Sequence, residues 1–274
     1  GAPELVSELS QKGKKLIILS NSSSAADATK AKLPKLGFNA DHFIGAVTSG
    51  EEAGHHICEN FAEKKALFLT WKTPKTPSPM KFIELCGNIQ ITDKPEEADL
   101  VILHGVDVLR GPGADGEATE QSLGSYYSDE SFDAIDPILK ACLDHKLPMI
   151  CANPDFIMVR PDGKIGHMPG KIAQRYEDMG GKCTSFGKPY VPHFEACLSE
   201  LGLPKDRVAH VGDSLHHDVA GANSTGIASV FVTGGVHCEE LGSPLNTVPP
   251  NDALERLFAK HYQTPTHVVP MFRA

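Results

Sequence analysis

The stretch VAHVGDSLHHD, residues 208–218, decides how the chain is interpreted. A short, mostly apolar run ends at Gly212, and Asp213 comes directly after this glycine. A second aspartate, Asp218, follows five residues later. This pattern predicts a short buried strand that ends in a tight turn, with two carboxylates at its C-terminal edge. Ligands bind at that edge in open α/β sheets, and carboxylate oxygens suit Mg²⁺. The alternative is that Asp213 only caps the following helix.

A second polar cluster stands near the start of the chain. Ser20 and Asn21 directly follow an apolar segment, 16–19, that has the length of a strand. These side chains can cap the next helix, which we expect over 25–36. They can equally hold a phosphate group to which the helix N–H groups also point.

Two further clusters follow the same pattern. Asn153 and Asp155 come after an apolar strand expected at 148–152, and Lys188 lies in a Gly/Pro turn before a helix expected at 191–201. A lysine in such a turn is usually a solvated surface charge. A hydroxyl, a cation and paired carboxylates near one point would nevertheless suit phosphoryl transfer.

The order of strands and helices predicts the domain organisation. Strand and helix patterns alternate up to residue 63, change character from Lys64, and return from Thr184. We therefore expect an α/β fold whose doubly wound, Rossmann-like parallel-sheet core comprises 1–63 and 184–274. An α/β cap domain is expected as an insertion at 64–183. Within it, 111–128 is rich in Gly, Ser and acids and predicts a long exposed loop.

The net charge, the apolar runs and the cysteines of the chain limit the classes of partner and the compartment that we expect. The net charge of −9 argues against nucleic-acid binding, and no apolar run approaches the roughly 18 residues that a membrane span needs. Seven cysteines without a CxxC pair favour reduced thiols in the cytoplasm or another reducing compartment. The adjacent pair His216 and His217 lacks a second ligand pair at zinc spacing, so the sequence predicts no structural zinc site.

The order of these motifs resembles a known family. LSNSSS (19–24), a large insertion, GKP (187–189) and VGDSLHHDVAGANSTGI (211–227) resemble motifs II, III and IV of the haloacid dehalogenase superfamily. The resemblance is to the class IIA branch of 4-nitrophenylphosphatase-like and phosphoglycolate-phosphatase-like enzymes. GAPEL (1–5), NPD (153–155) and PG (169–170) also match this branch, so the similarity spans essentially the whole chain.

The resemblance implies catalytic roles for Ser20, Lys188 and Asp213 and a metal site at Asp213 and Asp218. Ser20 would hydrogen-bond the transferring phosphoryl group, and Lys188 would neutralise the nucleophile and the phosphate. Asp213 would be a Mg²⁺ ligand. Asp218 would belong to the same metal site, either in the shell of the ion or as a support for Lys188.

The resemblance also implies a substrate-binding set. Asn21 would lie beside the phosphoryl group, and Asn153 and Asp155 on the cap would face the substrate. Caps of this type often meet in dimers, so a homodimer through the cap is an expectation as well. The substrate itself would be a small phosphorylated metabolite.

One motif of the family has no counterpart in the chain. The family's nucleophile and general acid stand in a DxDG motif at the end of its first strand, and none of the 274 residues belongs to a strand ending in DxD. We expect the nucleophile on a segment upstream of Gly1, and a chain without it would be inactive. The alternatives are a non-catalytic relative and a strand supplied by a second chain.

These expectations combine into one functional hypothesis. We expect a Mg²⁺-dependent phosphomonoester hydrolase that works through an aspartyl-phosphate intermediate. The alternative is a non-catalytic relative that binds an anion or a partner. A dinucleotide-binding oxidoreductase is disfavoured because no GxGxxG follows a strand.

Overall fold

The protein has an α/β fold, seen in a computed structural model that describes residues 1–75, 77–114, 117–160 and 162–273. The helices are α1 (Ala2–Gln11), α2 (Ala26–Lys30), α3 (Ser49–Asn60), α4 (Met80–Leu85), α5 (Tyr126–Asp129), α6 (Asp136–Asp144), α7 (Pro169–Asp178), α8 (Val191–Leu201), α9 (Ala220–Thr225), α10 (Cys238–Leu241) and α11 (Asn251–His261). The strands are β1 (Ile17–Ser20), β2 (Gly45–Thr48), β3 (Lys65–Thr70), β4 (Gln90–Thr92), β5 (Leu100–Leu103), β6 (Val108–Arg110), β7 (Glu120–Ser122), β8 (Met149–Cys151), β9 (Ile157–Val159), β10 (Ile165–His167), β11 (Cys183–Ser185), β12 (Ala209–Gly212), β13 (Ala228–Val232) and β14 (His267–Val269).

The chain divides into two compact units. The first unit comprises Gly1–Leu19, Lys30–Val47 and the chain from Lys188 onward, and the second comprises Ser20–Thr29 and Thr48–Gly187. The domain boundaries expected at 64 and 183 stay a prediction.

The first unit contains a parallel sheet in the order β12–β13–β14. Phe231 of β13 is fully buried with Leu254 and Leu257 of α11, and a second cluster joins Phe194 of α8 to Ala222 of α9. Because burial of apolar area is the main stabilising term, these contacts fix the helices against the sheet. The C-terminal ends of β12 and β13 are thereby held in register.

The second unit contains a seven-stranded sheet in the order β11–β8–β5–β3–β6–β7, with β4 also paired to β3. Strands β11, β8, β5, β3 and β4 run parallel to one another. Strand β6 pairs antiparallel with β3, and β7 pairs antiparallel with β6. The side chains of β5 are all buried, as expected for a strand covered on both faces. The predicted α/β class, with a sheet dominated by parallel pairs, is confirmed.

Three local predictions are wrong. The expected loop 111–128 contains β7 and the start of α5, with residues 115 and 116 outside the described part of the chain. The helix expected over 25–36 ends at Lys30, and a separate 3-10 turn at Leu33–Leu36 carries Pro34. Strand β12 is not fully buried, because Val211 is 38% exposed.

Within the described ranges, the helices are too short or too polar to cross a lipid bilayer.

Candidate active site

The turn after β12 brings the two predicted aspartates together. Ser214 caps a single π-helical turn, Leu215–Val219, by accepting a hydrogen bond from the backbone N–H of His217 at 3.2 Å. The turn carries Asp218 back towards the end of the strand. There its Oδ2 accepts the backbone N–H groups of Asp213 at 3.1 Å and Ser214 at 3.0 Å.

The other oxygen of Asp218 binds two cationic or polar side chains. Its Oδ1 accepts the Lys188 Nζ at 2.8 Å and the His210 Nε2 at 2.7 Å. Burial alone would raise the pKa of Asp218, but the Lys188 ammonium and the His210 hydrogen bond outweigh burial and hold the pKa well below its ordinary value. Asp218 is therefore a buried carboxylate that fixes the ammonium of Lys188 in place.

Sequence reasoning did not single out His210. This residue lies on β12, and its ring packs edge-on against Phe194 with the centroids 5.0 Å apart. His210 lies two residues before Gly212, so the two residues share one face of the strand. This spacing is the sequence signal that could have indicated His210. The imidazole completes the hydrogen bonding of Asp218 beside Lys188.

Two glycines make room for the carboxylates. A Cβ at Gly212 would lie 2.1 Å from the Asp218 Cγ, and a Cβ at Gly235 would lie 2.1 Å from the Asp213 Oδ2. Both distances are far inside van der Waals contact, so any side chain there would displace an aspartate. The loop after β13 also donates the Val236 N–H to the Asp213 Oδ2 at 2.9 Å. The pair Gly234-Gly235 in the sequence was the signal for this close approach.

The environment also fixes the charge of a neighbouring histidine. Burial lowers the pKa of His217 to about 3, and the cations nearby act in the same direction. His217 is therefore neutral at physiological pH. Lys188 supplies a positive charge to this turn through its ion pair with Asp218.

The second unit brings together the other predicted residues. The Asn21 Nδ2 donates to the Asp155 Oδ1 at 2.8 Å, and the Asn153 Oδ1 accepts the Asp155 backbone N–H at 3.0 Å. Both asparagines are buried. The Ser20 Oγ accepts the Ser22 N–H at 3.2 Å, which is the local turn bond expected of a serine after a strand. The roles predicted for these four residues stay predictions.

The donor set of the first unit fits Mg²⁺ at Asp213 better than at Asp218. Asp213 is a half-buried carboxylate at the end of a strand, and hard oxygen ligands of this kind suit the ion. The four acceptor positions of the Asp218 carboxylate are already taken by Lys188, His210 and two backbone N–H groups. Its geometry thus favours the supporting role, and direct ligation by Asp218 stays a prediction.

Comparison with known proteins places the chain in a family. Residues 1–76 match the model of the haloacid dehalogenase-like hydrolases, and residues 185–272 match a HAD-hydrolase-like model. The mouse glycerol-3-phosphate phosphatase is 27% identical over 280 residues, which cover 95% of this chain and 79% of the mouse protein.

Solved structures share the fold at lower identity. A possible sugar phosphatase of the HAD superfamily from Cytophaga hutchinsonii aligns with a TM-score of 0.70 at 19% identity, over 100% of this chain and 88% of its own. The glycerol phosphate phosphatase of Mycobacterium tuberculosis, in complex with magnesium, aligns with a TM-score of 0.58 at 17% identity. The alignment covers 91% of this chain and 69% of the mycobacterial chain. The two matched segments together span more than half of the 274 residues, and the curated relatives that align over most of the chain are phosphatases. This chain belongs to the haloacid dehalogenase-like hydrolases.

Proposed function

We propose that the protein is a Mg²⁺-dependent phosphomonoester hydrolase that acts on a small phosphorylated metabolite through an aspartyl-phosphate intermediate. The observation that carries the proposal is the buried pair in which the Lys188 Nζ lies 2.8 Å from the Asp218 Oδ1. A fixed ammonium beside a turn that presents Asp213 suits a reaction in which negative charge must be neutralised. The phosphatase relatives support the same reaction class.

Each residue of the first unit has a role that follows from its contacts. Lys188 would bind the phosphoryl oxygens as a point charge, because Asp218 and the surrounding turn hold it in one position. Asp213 would hold the Mg²⁺ ion. When bound, that ion would supply positive charge to the phosphoryl oxygens and orient them. Asp218 and His210 would act through Lys188 and the turn rather than on the substrate.

For the second unit we retain the roles that the family resemblance implies. Ser20 would donate its hydroxyl to the phosphoryl group, with Asn21 beside it. Asn153 and Asp155 would serve substrate binding, and the bond between Asn21 and Asp155 would keep both side chains oriented. The inserted cap at 64–183, a homodimer through it and a location in the cytoplasm or another reducing compartment belong to the same proposal.

The nucleophile would be an aspartate upstream of Gly1. Strand β12 supports this assignment, because one of its edges has no strand partner within the described residues and Val211 beside it is 38% exposed. A strand ending in DxD, placed along that edge, would satisfy the open backbone groups and cover Val211. It would also present its aspartates at the same end of the sheet as Asp213.

The test is phosphate release by the full-length protein, including whatever its gene encodes before Gly1. A panel of phosphate monoesters would include glycerol 3-phosphate, phosphoglycolate, 4-nitrophenyl phosphate and sugar phosphates, each measured with Mg²⁺ and with EDTA. We expect release that requires Mg²⁺ and falls at least about 100-fold in Lys188→Met.

Lys205→Met is the matched control, because Lys205 lies in the same unit and 48% of its side chain is exposed. It should leave release unchanged. No release from any ester, or full activity in Lys188→Met, would contradict the proposal. Binding of phosphate without turnover would favour the non-catalytic alternative.

A further inference from the structure

A histidine cluster lies in the first unit and has no role in the proposed hydrolysis. His216 of the π-helical turn, His237 at the start of α10 and His261 at the end of α11 come together there. The ring centroids of His237 and His261 are 4.8 Å apart, and His216 lies 6.3 Å from His237 and 6.4 Å from His261. The three residues are far apart in sequence, so zinc-type spacing could not indicate them.

One carboxylate oxygen faces two of these imidazoles. The Glu240 Oε2 lies 3.4 Å from the His237 Nδ1 and 3.6 Å from the His261 Nε2. One ligand atom from each of the three residues falls within 4.8 Å of the other two. Tetrahedral zinc with bonds of roughly 2.0–2.1 Å holds its ligand atoms about 3.4 Å apart. The two separations from Glu240 already match that value closely.

The remaining polar atoms of the cluster are compatible with an ion. The other oxygen of Glu240 pairs with the Lys260 ammonium, which orients the carboxylate as outer hydrogen bonds do at metal sites. The His261 Nε2 is shielded from solvent and has no hydrogen-bond partner among the described residues, and an ion bound there would satisfy it.

His237 must change its protonated nitrogen to take part. Its Nε2 accepts the Leu215 N–H at 3.3 Å, so in the metal-free protein the proton belongs on Nδ1, facing Glu240. An ion bound at Nδ1 displaces that proton and leaves Nε2 protonated, at the cost of one long hydrogen bond. Two imidazoles and a carboxylate are a ligand set typical of zinc rather than of Mg²⁺, which prefers oxygen ligands.

We propose that His237, Glu240 and His261 form a zinc-binding site, with the fourth coordination position taken by water or by the neighbouring His216. The ion links the loop that follows β13 to the end of α11. That loop also carries Val236, whose N–H binds Asp213, so zinc at this site stabilises the backbone that orients the proposed magnesium ligand.

The test is zinc binding by the full-length, metal-stripped protein, measured by isothermal titration calorimetry in excess Mg²⁺. We expect one zinc ion per chain. His261→Gln and Glu240→Gln should each weaken binding at least about tenfold, the lower bound for disturbing even an outer contact of a metal site. His267→Gln, an exposed histidine of the same unit, is the matched control and should bind zinc as the wild type does.

A second measurement separates a ligand role from a folding defect. The melting temperature of the wild type should rise with zinc concentration, and that of His261→Gln should not, while both should have the same melting temperature in EDTA. Asp213→Asn should still bind zinc. The proposal is overturned if the wild type does not bind zinc stoichiometrically, or if both His261→Gln and Glu240→Gln bind zinc as tightly as the wild type. It is also overturned if Asp213→Asn no longer binds zinc, because the ion would then lie at the aspartates.

Discussion

Replacing Asp218 with asparagine tests how the ammonium of Lys188 is held. In the wild type, one oxygen of Asp218 accepts two backbone N–H groups, and the other accepts Lys188 and His210. An asparagine can keep the two backbone bonds through its single oxygen. Its amide nitrogen then faces two donors, Lys188 and His210, and the ammonium loses a buried, negatively charged partner.

The magnitude follows from the burial of the pair. Removing one partner of a buried ion pair costs about 3–5 kcal/mol, because an uncompensated charge remains. The side chain of Lys188 is 17% exposed and that of Asp218 is 5% exposed, so water can reach the ammonium to a limited extent. We therefore expect Asp218→Asn to lower the free energy of unfolding by about 3 kcal/mol, at the low end of that range.

The assay is urea-induced unfolding followed by circular dichroism. Asp252→Asn is the matched control, because its pair with Arg256 is exposed and such pairs contribute about 0–1 kcal/mol. The double variant Lys188→Met/Asp218→Asn removes the ammonium as well and should be more stable than Asp218→Asn alone. A loss below about 1 kcal/mol in Asp218→Asn, or a double variant less stable than the single one, would refute this reasoning.

Three further predictions use other parts of the structure. Burial lowers the pKa of His104 to about 3, so the unfolded chain takes up a proton at this residue before the folded chain does as the pH falls below 6.5. Between pH 7 and about 4.5, this difference should lower the free energy of unfolding by about 3 kcal/mol. The decrease should be smaller in His104→Gln, and urea titrations at a series of pH values measure it. Gly212→Ala should lower both the melting temperature and phosphate release, whereas Gly45→Ala, whose added methyl would meet its nearest neighbour at 3.9 Å, should change neither. Iodoacetamide should label the exposed Cys58 first, and intact-protein mass spectrometry of the native state should show Cys142 unlabelled, because burial raises its pKa to about 12.

The strand and turn at 208–218 could be predicted because their signals are local. An apolar run, a glycine and an acid specify where β12 ends, and the five-residue spacing of Asp213 and Asp218 fits the π-helical turn that joins them. The exposure of Val211 could not be predicted, because burial of a strand depends on its neighbours in the sheet.

Other features depend on contacts between distant segments. Strand β7 is three residues long and is defined by antiparallel pairing with β6, so its composition alone indicated a loop. His210 meets Asp218 only in the folded chain, and His261 of α11 meets His237 and Glu240, which lie three residues apart at the start of α10, only through tertiary packing.

The most direct test of the proposed function compares wild type and Asp213→Asn in the full-length protein. Phosphate release from the best ester would be measured at increasing Mg²⁺ concentration, after zinc has been added to saturation in both proteins. We expect the wild type to show saturable Mg²⁺ activation and Asp213→Asn to lose at least about 100-fold in kcat at any Mg²⁺ concentration. Equal activity of the two proteins, or release that persists in EDTA, would contradict the assignment of Asp213 as the magnesium ligand of a phosphatase.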